Sequence, residues 1–158
     1  MHTSSGNSSQ IHTRFMMQAF YEAEQAALKK EVPVGAVIVQ NGVIVGRGHN
    51  MVETLQDPTA HAEILAITAA CETIKSKYLL DCTLSVTLEP CPMCSGALVW
   101  SKIPKVVYGA IDEKCGGCGS LFNICENNKL NHQIEVIGGI LESDCSELLK
   151  EWFRNKRK

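Results

Sequence analysis

At 158 residues the chain is long enough for one domain, burying roughly 68–70% of its unfolded surface. Apolar residues make up 45% and charged residues 20%, the balance of a soluble globular protein, and no apolar run nears the ~20 residues of a membrane span. A net charge of −2 excludes a chain that binds polyanions through its overall charge.

Met1 to Gln10 is rich in Ser and Asn and lacks the apolar centre of a signal peptide. It is expected to be a disordered leader ahead of a single domain over residues 11–158, in a protein of the cytoplasm. Eight cysteines could make a disulfide framework, but the absent signal peptide and ample apolar content argue against one. Ile11 to Lys30 reads as an amphipathic helix with Met16, Phe20, Ala23 and Ala27 as its apolar stripe, stopped by Pro33. Val34 to Gln40 is a nearly continuous apolar run, which suits a strand covered on both faces. Asn41-Gly42 then signals a tight hairpin, with Val43 to Arg47 returning antiparallel.

Asn50 to Ala60 is expected to be a loop whose Asp57-Pro58-Thr59 prepares a helix start. Ile64, Ile67, Cys71 and Ile74 repeat at helical spacing and predict a core-facing helix. Asp81 to Leu88 reads as a strand, Cys91 to Ser101 as a helix and Pro104 to Ile111 as another strand. Gly109 to Gly119 is expected to be a loop too flexible for the core. His132 to Gly138 supplies a last strand, and Asp144 with Glu147 a cap for a C-terminal helix buried through Cys145, Leu148, Leu149 and Trp152. The order predicts a three-layer α/β/α sandwich on a five-stranded mixed sheet.

The chemistry gathers in two places. Cys91 and Cys94 lie three apart around Pro92, which is welcome in the first turn of a helix. A helix N-terminus carries partial positive charge and favours thiolate, so the pair reads as half of a zinc site. The other half is expected at His61-Ala62-Glu63. Glu63 has Ala60 three residues before it, which cannot complete a capping box. His61 as a cation would oppose the helix dipole, whereas a neutral imidazole ligating a metal does not.

Together His61-x-Glu63 and Pro90-Cys91-x-x-Cys94 match the signature of zinc deaminases acting on nucleobases. Three protein ligands leave a zinc ion one open corner, where the pKa of water falls to about 7. Glu63 is the expected proton carrier and His61, Cys91 and Cys94 the expected ligands of one Zn2+ per subunit.

From about Phe15 to Phe153 the chain resembles the bacterial tRNA-specific adenosine deaminases. The resemblance runs through Val32-Pro33-Val34-Gly35-Ala36-Val37, Asp57-Pro58-Thr59-Ala60-His61-Ala62-Glu63 and Leu88-Glu89-Pro90-Cys91-Pro92-Met93-Cys94. It continues through Ile103-Pro104-Lys105-Val106-Val107-Tyr108-Gly109, Gly119-Ser120-Leu121 and Asn131-His132. It implies a cytidine deaminase-like fold, a homodimer, and hydrolytic conversion of the wobble adenosine of a tRNA anticodon stem-loop to inosine. It further implies that Asn50 touches the flipped-out nucleoside, that Asp112 contacts neighbouring RNA, and that Phe153 and Arg154 face the stem-loop. The tail Arg154-Asn155-Lys156-Arg157-Lys158 carries four positive charges, which suits a polyanion or equally answers a helix dipole.

Two other readings stand beside this one. The zinc signature is shared by small-molecule deaminases of guanine, cytosine or cytidine. Cys115 and Cys118 extend Cys91 and Cys94 into Cys-x2-Cys-x20-Cys-x2-Cys, the spacing of a zinc ribbon that would bind RNA without catalysis.

Overall fold

The computed structural model describes residues 4–157. Along the chain come α1 (Ser4–Leu28), β1 (Gly35–Gln40), β2 (Val43–His49), α2 (Val52–Leu55), α3 (Ala62–Ile74) and β3 (Cys82–Leu88). They are followed by α4 (Pro92–Ser101), β4 (Lys105–Ala110), β5 (Glu135–Ile137) and α5 (Glu142–Lys156). The five strands form one sheet in the order β2-β1-β3-β4-β5, antiparallel from β2 to β3 and parallel from β3 to β5. Helices α1 and α5 cover one face while α3 and α4 cover the other. This is the α/β/α sandwich on a mixed sheet that the sequence predicts.

Alternation along the central strand divides the core in two. Ala36 and Ile38 point to the side of Ala66 and Leu98, and Val37 and Val39 to the side of Phe15, Met16 and Ala19. Burial of each large aliphatic side chain on either face contributes about 1.5–3 kcal/mol. The hairpin turns at Asn41 (φ 51°) and Gly42 (φ 77°), the positive angles its sequence signals.

Several boundaries differ from expectation for local reasons. Helix α1 begins at Ser4 and not at Ile11, and residues 1–3 of the expected leader lie outside the described residues. Its most buried face is Phe15, Met16, Ala19, Ala23 and Ala26, with Phe20 and Ala27 on the flank. A Cβ at Gly35 would lie 2.1 Å from the Ala19 carbonyl, so glycine lets the helix settle directly on β1. Helix α3 shows the same logic. Ala62, Ala66 and Ala70 are its fully buried positions, while Ile67, Cys71 and Ile74 pack around them. Gly46 and Gly48 in β2 face it, and Cβ atoms there would meet the Ala66 and Ala62 carbonyls at 2.5 and 2.4 Å. The small face goes inward because the strand beneath it has glycine at the two contact positions, Gly46 and Gly48.

The segment from Asn50 to Ala60 holds the short α2, which sequence reading misses. The buried Glu31 carboxylate accepts N–H bonds from Glu53 and Thr54 at 3.1 and 2.6 Å and so caps it from outside. Helix α5 begins at Glu142 after Leu141 in the left-handed region, which puts Asp144 inside the first turn and not at the cap. The last strand shortens to three residues. The glycine loop is also not loose: Gly109 belongs to β4, and Gly116, Gly117 and Cys118 are buried. No described helix is long and apolar enough to cross a membrane.

Candidate active site and metal centre

The site forms where two helix starts meet the carboxyl end of β3. His61 is the N-cap of α3 with extended backbone (φ −77°, ψ 154°), and Cys91 is the N-cap of α4 (φ −72°, ψ 172°). The sequence places both inside their helices, but each precedes the first turn. Their carbonyls accept the first helical bonds, from Leu65 N–H at 3.1 Å and Ser95 N–H at 2.8 Å. Neither side chain caps its own helix, so imidazole and thiol are left for other work. Pro92 fills the first helical position and Cys94 follows within the same turn, buried.

His61 Nδ1 stands 3.7 Å from Cys91 Sγ and 3.5 Å from Cys94 Sγ, and the three donor atoms all lie within 4.8 Å of one another. Tetrahedral zinc with bonds of about 2.3 Å to sulfur and about 2.0–2.1 Å to nitrogen requires donors about 3.5–3.8 Å apart. Both histidine–cysteine distances meet that requirement, so the donor set suits the ion. Its proton chemistry fits as well. The hydrogen bond from Cys94 holds the Cys91 thiol down to about 4 against its burial, and His61 assists. The partner thiol of Cys94 is pushed up by that same bond and by burial, and His61 is raised by its bond to Cys91. A cation placed among these donors takes over the charge that shared protons now balance. Both helix dipoles favour the anionic sulfurs it needs.

Glu63 lies in the first turn of α3 and is 4% exposed. Burial pushes its carboxyl up to about 7, outweighing the opposing influence of a backbone N–H, of His61 and of Cys94. It opens on a cavity of ≈ 260 Å³ that it shares with Asn50, His61, Cys91, Asp112 and Cys115, with Val32, Val34 and Leu88 as apolar walls. Two of the residues expected to touch RNA are therefore on this cavity. Asn50 also has local duties: its Oδ1 accepts the Val52 N–H at 3.3 Å and its Nδ2 donates to the Val32 carbonyl at 3.4 Å. Asp112 Oδ1 accepts N–H bonds from Lys114 and Cys115 at 3.1 and 3.0 Å.

Phe153 and Arg154 do not reach this cavity. They line a separate shallow depression on α5 with Ile111, Lys114, Lys150 and Arg157. Phe153 is 44% exposed, and Arg154 pairs with Glu147 at 2.8 Å. Ile111 and Lys114 flank Asp112 in sequence, so the two surfaces share one loop.

The zinc-ribbon reading is overturned. Among the described residues His61, Cys91 and Cys94 are the one group of three donors close enough to hold an ion. Cys115 is exposed on the cavity rim, and Cys118 is buried with its sulfur 2.8 Å from Cys125. Cys118 turns to Cys125 and Cys115 to the cavity rim, which spacing alone does not reveal. Sequence reading also gave no task to Glu89, which is 2% exposed and accepts bonds from the loop carrying Asp112. The available signal was an acidic residue closing an apolar strand just before Pro90.

Residues 9–110 match the cytidine and deoxycytidylate deaminase zinc-binding region. The chain is 49% identical over 144 residues to the tRNA-specific adenosine deaminase of Bacillus subtilis, covering 91% of this chain and 89% of that one. It is 52% identical over 143 residues to the protein of the same name from Aquifex aeolicus, covering 90% and 94%. Among solved structures, a deaminase of A-to-I editing at the wobble position of transfer RNA superposes with a TM-score of 0.84. It is 40% identical, over 87% of this chain and 99% of that one. A guanine deaminase from Nitrosomonas europaea shares the fold, with a TM-score of 0.77 at 24% identity over 89% of this chain and 83% of that one. The donor geometry, the sheet order and these similarities agree: the chain belongs to the zinc-dependent deaminases of the cytidine and deoxycytidylate deaminase family, and within them to the tRNA-specific adenosine deaminases.

Proposed function

We propose that this enzyme hydrolyses the wobble adenosine of a tRNA anticodon loop to inosine, releasing ammonia. The observation that carries the reading is Glu63, a buried carboxyl on the same cavity as a His-Cys-Cys donor set and able to exchange a proton near neutral pH. Relatives named for this activity at about half identity support the choice of substrate.

His61 Nδ1, Cys91 Sγ and Cys94 Sγ would hold the zinc ion, which when bound supplies a Lewis acid and water activation at neutral pH. Glu63 takes a proton from the attacking water and gives it to the ring nitrogen beside the amino-bearing carbon. A second proton passes through the same carboxylate to the departing nitrogen. One carbon–oxygen bond forms, one carbon–nitrogen bond breaks, water is consumed and ammonia leaves. Val32, Val34 and Leu88 line the cavity, keep its polarity low, and so strengthen the pull of nearby charges.

Asn50 in this reading binds the extruded nucleoside and Asp112 an adjoining part of the RNA, since both line the cavity. Phe153 and Arg154 contact the stem-loop backbone from α5, where Lys150 and Arg157 add charge. Loop nucleotides are the least costly to extrude, which favours an anticodon loop over a duplex. The reading includes residues 11–158 working as one domain and a homodimer in the cytoplasm. An apolar groove along α4 beside the 81% exposed Trp100 is suited to the second copy.

The test is incubation with an anticodon stem-loop carrying adenosine at the wobble position, beside free adenosine, cytidine and guanine. Inosine in the stem-loop and no turnover of the small compounds is the expected result. A higher kcat/KM for free guanine or cytidine would show a small-molecule deaminase instead. Trimming after Leu149 gives a second discrimination, hurting an RNA substrate far more than a free base.

A further inference from the structure

Glu89 is a buried acid on the cavity that the mechanism does not use. Glu89 follows β3 directly, and its own N–H donates to the Ala110 carbonyl at 2.8 Å, prolonging the β3–β4 pairing by one bond. Its side chain serves a different segment. Oε1 accepts the Asp112 N–H at 3.2 Å and the Ser120 hydroxyl, while Oε2 accepts the N–H groups of Cys118 and Ser120 at 3.1 and 3.0 Å. Four donors from a nine-residue span therefore end on one carboxylate. No cation pairs with it among the described residues, so these charge-assisted bonds alone offset its burial.

The loop is shaped to reach this carboxylate. A Cβ at Gly116 would stand 2.2 Å from Glu89 Oε2, and one at Gly117 would stand 3.0 Å from the Cys91 carbonyl oxygen. Gly117 N–H also donates to the Pro90 carbonyl at 2.7 Å. The loop is thus pressed on the strand end and on the start of the helix that carries the two cysteines. Asp112 is the first residue so held. Its carbonyl accepts the Gly116 N–H at 2.8 Å and its carboxylate the N–H groups of Lys114 and Cys115.

We propose that Glu89 is a positioning residue for the RNA substrate, fixing the loop after β4 so that Asp112 stands on the cavity rim; this rests on the tRNA deaminase reading above. Glu89 also lines the cavity, but both its carboxylate oxygens are engaged by the loop and neither is assigned a step in the reaction. It acts through Asp112, by holding the one loop shared between the cavity and the basic surface of α5.

Glutamine at this position keeps the shape but offers one accepting oxygen where the carboxylate offers two. In Glu89→Gln the KM for the wobble-adenosine stem-loop is expected to rise at least tenfold while kcat falls much less, with zinc still one per chain. Amide hydrogen exchange over 112–120 should quicken, with β3 and β4 unchanged. The decisive arm is a double-mutant cycle with Asp112→Ala. Acting through Asp112 requires the KM effect of Glu89→Gln to shrink to less than twofold in the Asp112→Ala background. A full tenfold effect there, or an unchanged KM in folded, zinc-loaded Glu89→Gln, overturns the proposal. Should Glu89→Gln fail to fold, Ser120→Ala removes a donor from the same carboxylate and enters the same cycle. A wild-type protein that leaves the stem-loop unconverted defeats the functional reading itself. The exchange measurement then decides separately whether Glu89 holds the loop.

Discussion

Two parts of the cavity lining are built by opposite means. In one, His61 and Cys91 stand at the N-cap positions of α3 and α4, and the residues behind them are close-packed: Ala62 and Ala66 on Gly46 and Gly48, Leu98 in the core. In the other, Asp112 and Cys115 belong to a loop tied down by hydrogen bonds to a single carboxylate. A packed wall holds donor atoms to fractions of an ångström, as a metal and a proton transfer need. A wall of hydrogen bonds can be retuned by exchanging one or two side chains. In the proposed function, chemistry is assigned to the first and substrate choice to the second.

The sharpest way to separate the two walls is to remove one group from the packed one. Glu63→Ala is expected to bind zinc and RNA like the wild type and to lose about 10²–10⁴-fold or more in kcat, the usual share of a general acid–base. His61→Ala should differ in kind, since it removes a zinc donor: metal analysis should show far less than one zinc per chain, and added zinc should not restore turnover. Stripping the wild type with a chelator should also abolish turnover, but zinc should then bring it back. Inosine formation by Glu63→Ala at the wild-type rate would remove the central role assigned to that carboxyl.

A smaller effect is expected from behind the same wall. Gly48→Ala places a Cβ 2.4 Å from the Ala62 carbonyl, in the first turn of the helix that His61 caps. Backbone cannot yield as a flexible side chain does, so the cost should be about 1–3 kcal/mol of stability, read as a lower Tm. Because the helix must lift, zinc affinity should fall together with Tm. A stable Gly48→Ala with full zinc affinity would show that the packed wall tolerates displacement, and the contrast between the walls would weaken.

How much of this was legible in the sequence follows the same division. The His61, Cys91 and Cys94 cluster and the place of Glu63 beside it were readable from local signals: a proline at a helix start, two cysteines three apart, an acid without a capping partner. The five strands and the first antiparallel pair followed from strand patterns and the Asn41-Gly42 turn, whereas the order of the strands in the sheet did not. What was not legible depends on backbone reaching backbone across long separations. The inward face of α3 turned on glycines in β2, and the short α2 on Glu31, which precedes it by some twenty residues. The glycine loop read as loose because its anchor, Glu89, lies outside it. Composition records a loop's freedom when isolated, while the bonds it makes to distant carboxylates are written elsewhere in the chain.

The mildest expected effects come from α5, at the outer limit of the hydrogen-bonded wall. Arg154 is exposed and already paired with Glu147, also exposed, so the pair itself adds little stability. Its charge should matter to a polyanion, because each phosphate neutralised releases counterions. Arg154→Ala is expected to raise KM for the stem-loop a few-fold, leave Tm nearly unchanged and reduce the salt slope of binding by about 1. Glu147→Ala should act in the opposite sense. It frees Arg154 and removes a negative charge from the approach, so binding tightens slightly and the salt slope steepens. Equal responses of the two variants would mean that the Arg154–Glu147 pair orders the surface and does not compete with RNA for the guanidinium.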